Sequence, residues 1–318
     1  MTLDSLPLWF FRAFAIAFGL LWGSFLNVVI YRVPLGQSVV HPPSHCTSCG
    51  ANVKPWQNLP VLSWLLLRGR TACCGKPLSA RYPIVEAIGG LIAWGILETR
   101  VLTLSPTTSL PFAAAVFLSF LAMTLGLVAA AFIDAENLYL PDPITIGGAV
   151  LGVATASLRQ MSFAESALGA VVGFVVVWIP FVVVYERLRG QAGMGLGDAK
   201  LLALAGAWFG WPGALFVLGA GAVQGALGTG ILLLTRGKIE DPEAVQRERE
   251  AILAEIEALP EEERKEALEE WHRDPIALEG GTGLRARIPF GPFLALAVIE
   301  LAIFQTRIAD TLLPGGGF

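Results

Sequence analysis

The sequence predicts an all-α polytopic membrane protein with about eight transmembrane helices, and three observations carry that expectation. Of its 318 residues, 54% are hydrophobic and 15% charged, with a mean hydropathy of +0.63; a soluble domain carries about 25% charged residues. The apolar residues fall in long blocks without an amphipathic period, as bilayer spans do. Lysine and arginine are sorted to alternate connections between the blocks. Together these exclude a soluble enzyme. The arginines are scattered at block ends and form no basic stripe, which argues against a nucleic-acid partner.

The blocks run roughly over 13–31, 83–103, 111–133, 143–158, 166–185, 199–212, 214–235 and 289–306. The fourth and sixth are short for a hydrocarbon layer of about 30 Å, so tilted or broken helices are expected there. The first block is followed by GSFLNVVIYRVP at 23–34 and not by a small-residue cleavage site, and it reads as a retained helix. With the N-terminus outside, 18 of the 22 Lys and Arg residues face the cytoplasm, against Arg12, Arg100, Arg159 and Arg307 outside. The reverse orientation would violate the positive-inside rule. The chain then divides into a first transmembrane helix (1–33), a cytoplasmic cysteine loop (34–82), a transmembrane core (83–236), an acidic cytoplasmic helical insertion (237–287) and a last helix with the C-terminus (288–318).

The net charge of -4 is set by the insertion, where residues 239–274 hold 14 acidic against five basic residues. Helix formers dominate it, with Pro242 near a helix start and Pro260 breaking it in two. Two solvated amphipathic helices are expected, with partner docking as the alternative.

All four cysteines lie between residues 46 and 74, as Cys46-x-x-Cys49 and the adjacent Cys73 and Cys74. Two cysteine pairs with some twenty residues between them form a zinc-ribbon-like layout, and Gly50 and Gly75 suit the turns of metal knuckles. A reducing cytoplasm disfavours a disulfide. Structural zinc on Cys46, Cys49, Cys73 and Cys74 is the leading reading; redox-active or inert thiols are the alternatives. The adjacency of Cys73 and Cys74 strains ligation by both, and His45 could replace one of them.

Acidic residues near the apolar blocks are few, so each needs a reason. Asp134 ends LAMTLGLVAAAFID and Asp198 opens GMGLGDAKLLALAGAWFGW, and the topology places both at the cytoplasmic face. Two carboxyl groups at a low-dielectric boundary share a proton near neutral pH. The ionised partner can then activate water while the protonated one polarises a carbonyl. Each aspartate read alone is also compatible with a helix end reaching water. A proton relay in a transporter is a third reading, although transporters place such acids mid-span beside broken helices. Glu86 and Glu300 are expected as polar contacts between helices, Asp142 as a helix N-cap and Glu136 in a loop.

Taken together, these motifs resemble the bacterial type IV prepilin peptidases (leader peptidase/N-methyltransferases), membrane aspartic peptidases of the GxGD type. GSFLNVVIYRVP, CTSC, PWQNLPVLSWL, SARYPIVE, FIDAENLYLPD at 132–142, GMGLGD at 193–198 and IPFGPFLA at 288–295 follow the family's order over almost the whole chain. The resemblance implies Asp134 and Asp198 as the catalytic pair. It implies removal of the basic leader of prepilins and pseudopilins after a glycine at the cytoplasmic membrane surface. Methylation of the new N-terminus from S-adenosylmethionine would follow, with the zinc-binding loop linked to that half; a peptidase without methyl transfer is the alternative. Two departures stand out. Aligned from Arg81, Cys74 takes the expected place of the second pair, Thr71 takes its partner's place, and Cys73 is displaced. A family member also commonly has a short connection where this chain carries 237–287.

Overall fold

The computed structural model describes residues 1–47, 49–189, 193–237, 242–271 and 288–312, and among these the chain is helical, with only isolated β-bridges and no strand. Apart from short turns such as Leu62–Leu66, the main helices are α1 (Leu8–Arg32), α2 (Arg81–Ile96), α3 (Leu110–Asn137), α4 (Asp142–Ala154), α5 (Phe163–Val177), α6 (Leu196–Arg236), α7 (Glu243–Glu257), α8 (Glu261–Trp271) and α9 (Gly291–Leu312). Every apolar block falls on one of them. Pro180 widens the coil after α5 over Trp178–Val184, and the helix resumes over Tyr185–Arg189. Among the described residues, four helical stretches are long and apolar enough to cross a bilayer unaided: α1, α3, Phe163–Arg189 and α6. The chain is a multi-pass membrane protein.

The blocks 199–212 and 214–235 are the two arms of α6. Gly210 leaves helical geometry at φ 69 and ψ 178, with Pro212 just beyond. The Leu202 carbonyl and the Ala214 Cβ both lie within 3.2 Å of the point where a Cβ on Gly173 would stand. Twelve residues of straight helix would separate them by about 18 Å, so the chain doubles back at Gly210. The first arm packs on α4 and α5, and the second runs along α9. A methyl group on either Gly169 or Gly206 would overlap the other's carbonyl oxygen, so backbone meets backbone between α5 and α6. Only glycine allows that approach.

At the opposite end from the acidic pair, two of the four arginines expected outside are half-buried. Arg100 donates to the carbonyls of Ala302 at 2.6 Å and Leu301 at 3.0 Å, and Arg159 to the Trp208 carbonyl at 3.2 Å. Their guanidinium groups lie 4.9 Å from the Phe120 ring and 4.3 Å from the Trp208 ring, and those two rings touch edge to face. The ladder ties α2, α3, α6 and α9 together. Both cations are occupied by carbonyls that lie just before the breaks in α9 at Phe304 and in α6 at Gly210.

The insertion begins as its prolines predict. Pro242 precedes α7, and Pro260 separates α7 from α8. Val245 and Ile256 of α7 are buried, and α7 packs against α3. The remainder of the insertion, 272–287, lies outside the described residues.

Candidate active site

Three helix ends build one acidic centre. α3 stops where Leu138 turns left-handed at φ 50, leaving Asp134 in its last turn. α6 starts after Gly195 with Asp198 as its third residue, whose N–H donates to the Gly195 carbonyl at 3.1 Å. α9 starts at Gly291, and the Gly291 N–H donates to Asp134 Oδ2 at 3.0 Å. Asp134 is 6% exposed and Asp198 8%. Leu140 fills the space between the segments. A Cβ on Gly197 would stand 3.0 Å from Leu140 Cβ, and one on Gly291 would stand 3.1 Å from its Cδ1.

The neighbouring charges differ in part from expectation. Asp142 is not a cap: Pro141 holds the cap position, and Asp142 Oδ1 pairs with Lys200 Nζ at 2.6 Å, joining α4 to α6 two residues from Asp198. Glu136 lies within α3, not in a loop, and pairs with Arg81 at the start of α2. Glu300 accepts from Gln224 Nε2 at 2.7 Å, a contact between helices as expected. Glu86, buried on α2, reaches beyond the helices. Its Oε2 takes the Val61 N–H at 2.7 Å. Val61 sits at φ 61, a region that β-branched residues rarely enter, so the buried glutamate pins a strained point of the cysteine loop.

That loop brings its four sulfurs together, all within 4.8 Å of one another. Cys46 Sγ is 3.8 Å from Cys74 Sγ, and Cys49 Sγ is 3.4 Å from Cys73 Sγ. Tetrahedral zinc with Zn–S bonds of about 2.3 Å holds its sulfurs about 3.8 Å apart, so the residues fit a metal ion. His45 is not in the group; its Nδ1 faces the Pro43 carbonyl at 3.1 Å. The adjacency of Cys73 and Cys74 therefore does not keep either sulfur from the cluster. The two knuckles match in backbone: the Gly50 N–H donates to the Cys46 carbonyl at 2.8 Å and the Gly75 N–H to the Thr71 carbonyl at 2.9 Å. Thr71 thus holds the position that Cys46 holds in the first knuckle, and Cys73 supplies the fourth sulfur from the tip of the turn. The Thr71 hydroxyl and the Lys76 backbone N–H pull Cys74 down to about 6, while the neighbouring Cys49 and Cys46 thiols push Cys73 up to about 12.

Comparison with known proteins follows the same division. A family model described as the bacterial peptidase A24 N-terminal domain matches residues 17–99, and the model of the type IV leader peptidase family matches residues 120–230. The prepilin leader peptidase/N-methyltransferase of Myxococcus xanthus (strain DK1622) is 35% identical over 335 aligned positions, covering 98% of this chain and 96% of that protein. The chain belongs to the type IV leader peptidase family. The proteins of the same name from Pseudomonas putida and Aeromonas hydrophila are 37% and 34% identical, each covering 71% of this chain, and 82% and 83% of their own lengths. No solved structure matches the chain significantly.

In this family member the four cysteines fall in the first matched region and both aspartates in the second. Membership removes the transporter reading of the aspartates. Gly291 was visible in the sequence only as part of IPFGPFLA, with no role attached. Leu140 carried no signal beyond its place in FIDAENLYLPD.

Proposed function

We propose that this chain is a bifunctional enzyme of the bacterial cytoplasmic membrane. It is an aspartic endopeptidase that removes the leader of type IV prepilins and pseudopilins after a glycine. It is also an N-methyltransferase that acts on the residue so exposed. The observation that carries the first half is the burial of Asp134 and Asp198 at the ends of α3 and α6, which meet around Leu140, within the region matched by the peptidase family. The relatives' shared name supports both halves. Eight spans, an external N-terminus and a cytoplasmic dyad agree with the Lys and Arg distribution and with the reversal of α6 at Gly210.

The dyad performs hydrolysis with one shared proton. Donation by the Gly291 N–H favours a carboxylate at Asp134, so Asp134 takes a proton from the attacking water while Asp198 protonates the scissile carbonyl oxygen. Water oxygen bonds to the carbonyl carbon. Collapse of the tetrahedral adduct breaks the C–N bond, returns a proton to Asp198 and sends the proton held by Asp134 to the departing amine. Both carboxyl groups recover their starting state.

Cys46, Cys49, Cys73 and Cys74 hold a structural zinc ion that fixes the loop. S-adenosylmethionine supplies an electrophilic methyl group. The uncharged amine would take that methyl group, and S-adenosylhomocysteine and one proton would be released. Purified protein in lipid vesicles, given a prepilin and labelled methyl donor, tests the reading. A shortened, methyl-labelled product is expected; an uncut prepilin would overturn it.

A further inference from the structure

A cavity of about 590 Å³ lies between the last turns of α1, the start of α2 and the cysteine loop, inside the range of roughly 300–1,000 Å³ typical of small-molecule sites. Neither Asp134 nor Asp198 lines it. It lies wholly within the region matched by the N-terminal family model, apart from the peptidase region.

Its lining has a definite chemistry. Arg32 and Arg70 face it, and no Asp or Glu is among its described lining residues, so it attracts an anionic group. The Arg32 guanidinium is occupied, donating to the carbonyls of Ser38 at 2.9 Å and Pro42 at 2.7 Å. Arg70 is the cation left to bind a carboxylate. Asn27, only 4% exposed, donates through Nδ2 to the Tyr82 carbonyl at 3.2 Å, while its Oδ1 is buried without a partner. A buried acceptor left unpaired costs about 1–3 kcal/mol, and a ligand N–H would satisfy it. Tyr31 and Tyr82 add aromatic faces, and Cys46 and Cys73 bring the sulfur cluster to the wall. A carboxylate site, an N–H acceptor, aromatic faces and electron-rich sulfur suit a nucleoside-bearing amino acid with a positive centre.

We propose that this cavity is the S-adenosylmethionine site, with Arg70 on the methionyl carboxylate, Asn27 Oδ1 on a ligand N–H and Tyr31 against the adenine. The assignment rests on the methyltransferase reading. Position supports it: Tyr82 follows Arg81, which pairs with Glu136, two residues from Asp134. The cavity and the dyad therefore share one end of the bundle, and a newly cut amine need not cross the bilayer to reach the donor.

The test is equilibrium binding of labelled S-adenosylmethionine to purified full-length protein in detergent, without prepilin. Tyr31→Ala and Arg70→Ala are each expected to weaken binding about tenfold or more, the loss of one charge-assisted or stacking contact. Ultraviolet crosslinking of the labelled donor to the wild-type protein, followed by peptide mapping, is expected to mark the segments around Tyr31 and Arg70. The mapping decides the matter if a variant fails to fold. Tight binding to both folded variants, or label confined to other segments, would overturn the site while leaving the methyltransferase reading in place. A wild-type protein that cuts prepilin yet binds no donor would overturn the methyltransferase reading itself.

Discussion

The N–H of Gly291 donates to Oδ2 of Asp134 at 3.0 Å, joining residues 157 positions apart in the chain. The contact places the first amide of α9 against a carboxyl group on α3, where the positive end of the helix dipole stabilises negative charge. It also explains why position 291 is a glycine, since a Cβ there would stand 2.6 Å from the same oxygen. Gly291→Ala is expected to push Asp134 out of line and lower cleavage about tenfold to a hundredfold, the scale of a roughly 1 Å misplacement of a reacting group. Leader cleavage measured alongside thermal unfolding checks this. Unchanged cleavage in a folded Gly291→Ala protein would show that the contact does not position Asp134.

Asp134→Asn and Asp198→Asn remove a proton acceptor and a proton donor while keeping shape and most of the volume. Each is expected to abolish leader cleavage with the protein still folded in the membrane. The double variant should be no worse than either single one, because the pair acts as a unit. Residual cleavage that falls in separate, multiplying steps would argue for two independent roles.

The fold class and the two acidic helix ends were legible because their signals are local. Long apolar blocks report helices whatever packs around them, and an aspartate ending or opening such a block stands out against its cost in the membrane. The split of α6 was also legible, since Gly210 and Pro212 interrupt the pattern at the point where the chain reverses. Long-range partners were not. Nothing in the sequence around Asp142 announces Lys200, and nothing near Glu86 announces the Val61 amide, because these pairs exist only after the helices pack. Asp142 next to Pro141 reads as a cap by local rules, and the lysine 58 positions on overrides that preference.

Glu86 offers a way to separate the two activities. Removing its side chain leaves the strained Val61 amide without an acceptor, a loss of about 1–3 kcal/mol concentrated in the cysteine loop. Glu86→Ala is expected to lower methyl transfer more than cleavage, while Glu86→Gln, which keeps an acceptor oxygen for Val61, should recover much of it. Assaying shortened and methylated product in the same reaction reads both. Parallel losses would mean that Glu86 supports the helix bundle as a whole.

The sulfur cluster makes the most specific prediction, because the two knuckles are alike in backbone but not in side chains. One zinc per chain is expected, and metal binding should release protons as thiols become thiolates. Cys73→Ala should lose the metal, while His45→Ala should keep it, as His45 lies outside the cluster. Thr71 stands where the first knuckle has Cys46, its Oγ1 already 3.2 Å from Cys74 Sγ. Adding Thr71→Cys to Cys73→Ala should therefore restore binding by rebuilding a regularly spaced pair. Metal content of the purified variants, prepared without chelator, decides among these. Zinc retained by Cys73→Ala but lost from His45→Ala would place the histidine in the site, and failure of Thr71→Cys to restore the metal would show that the knuckles are not equivalent.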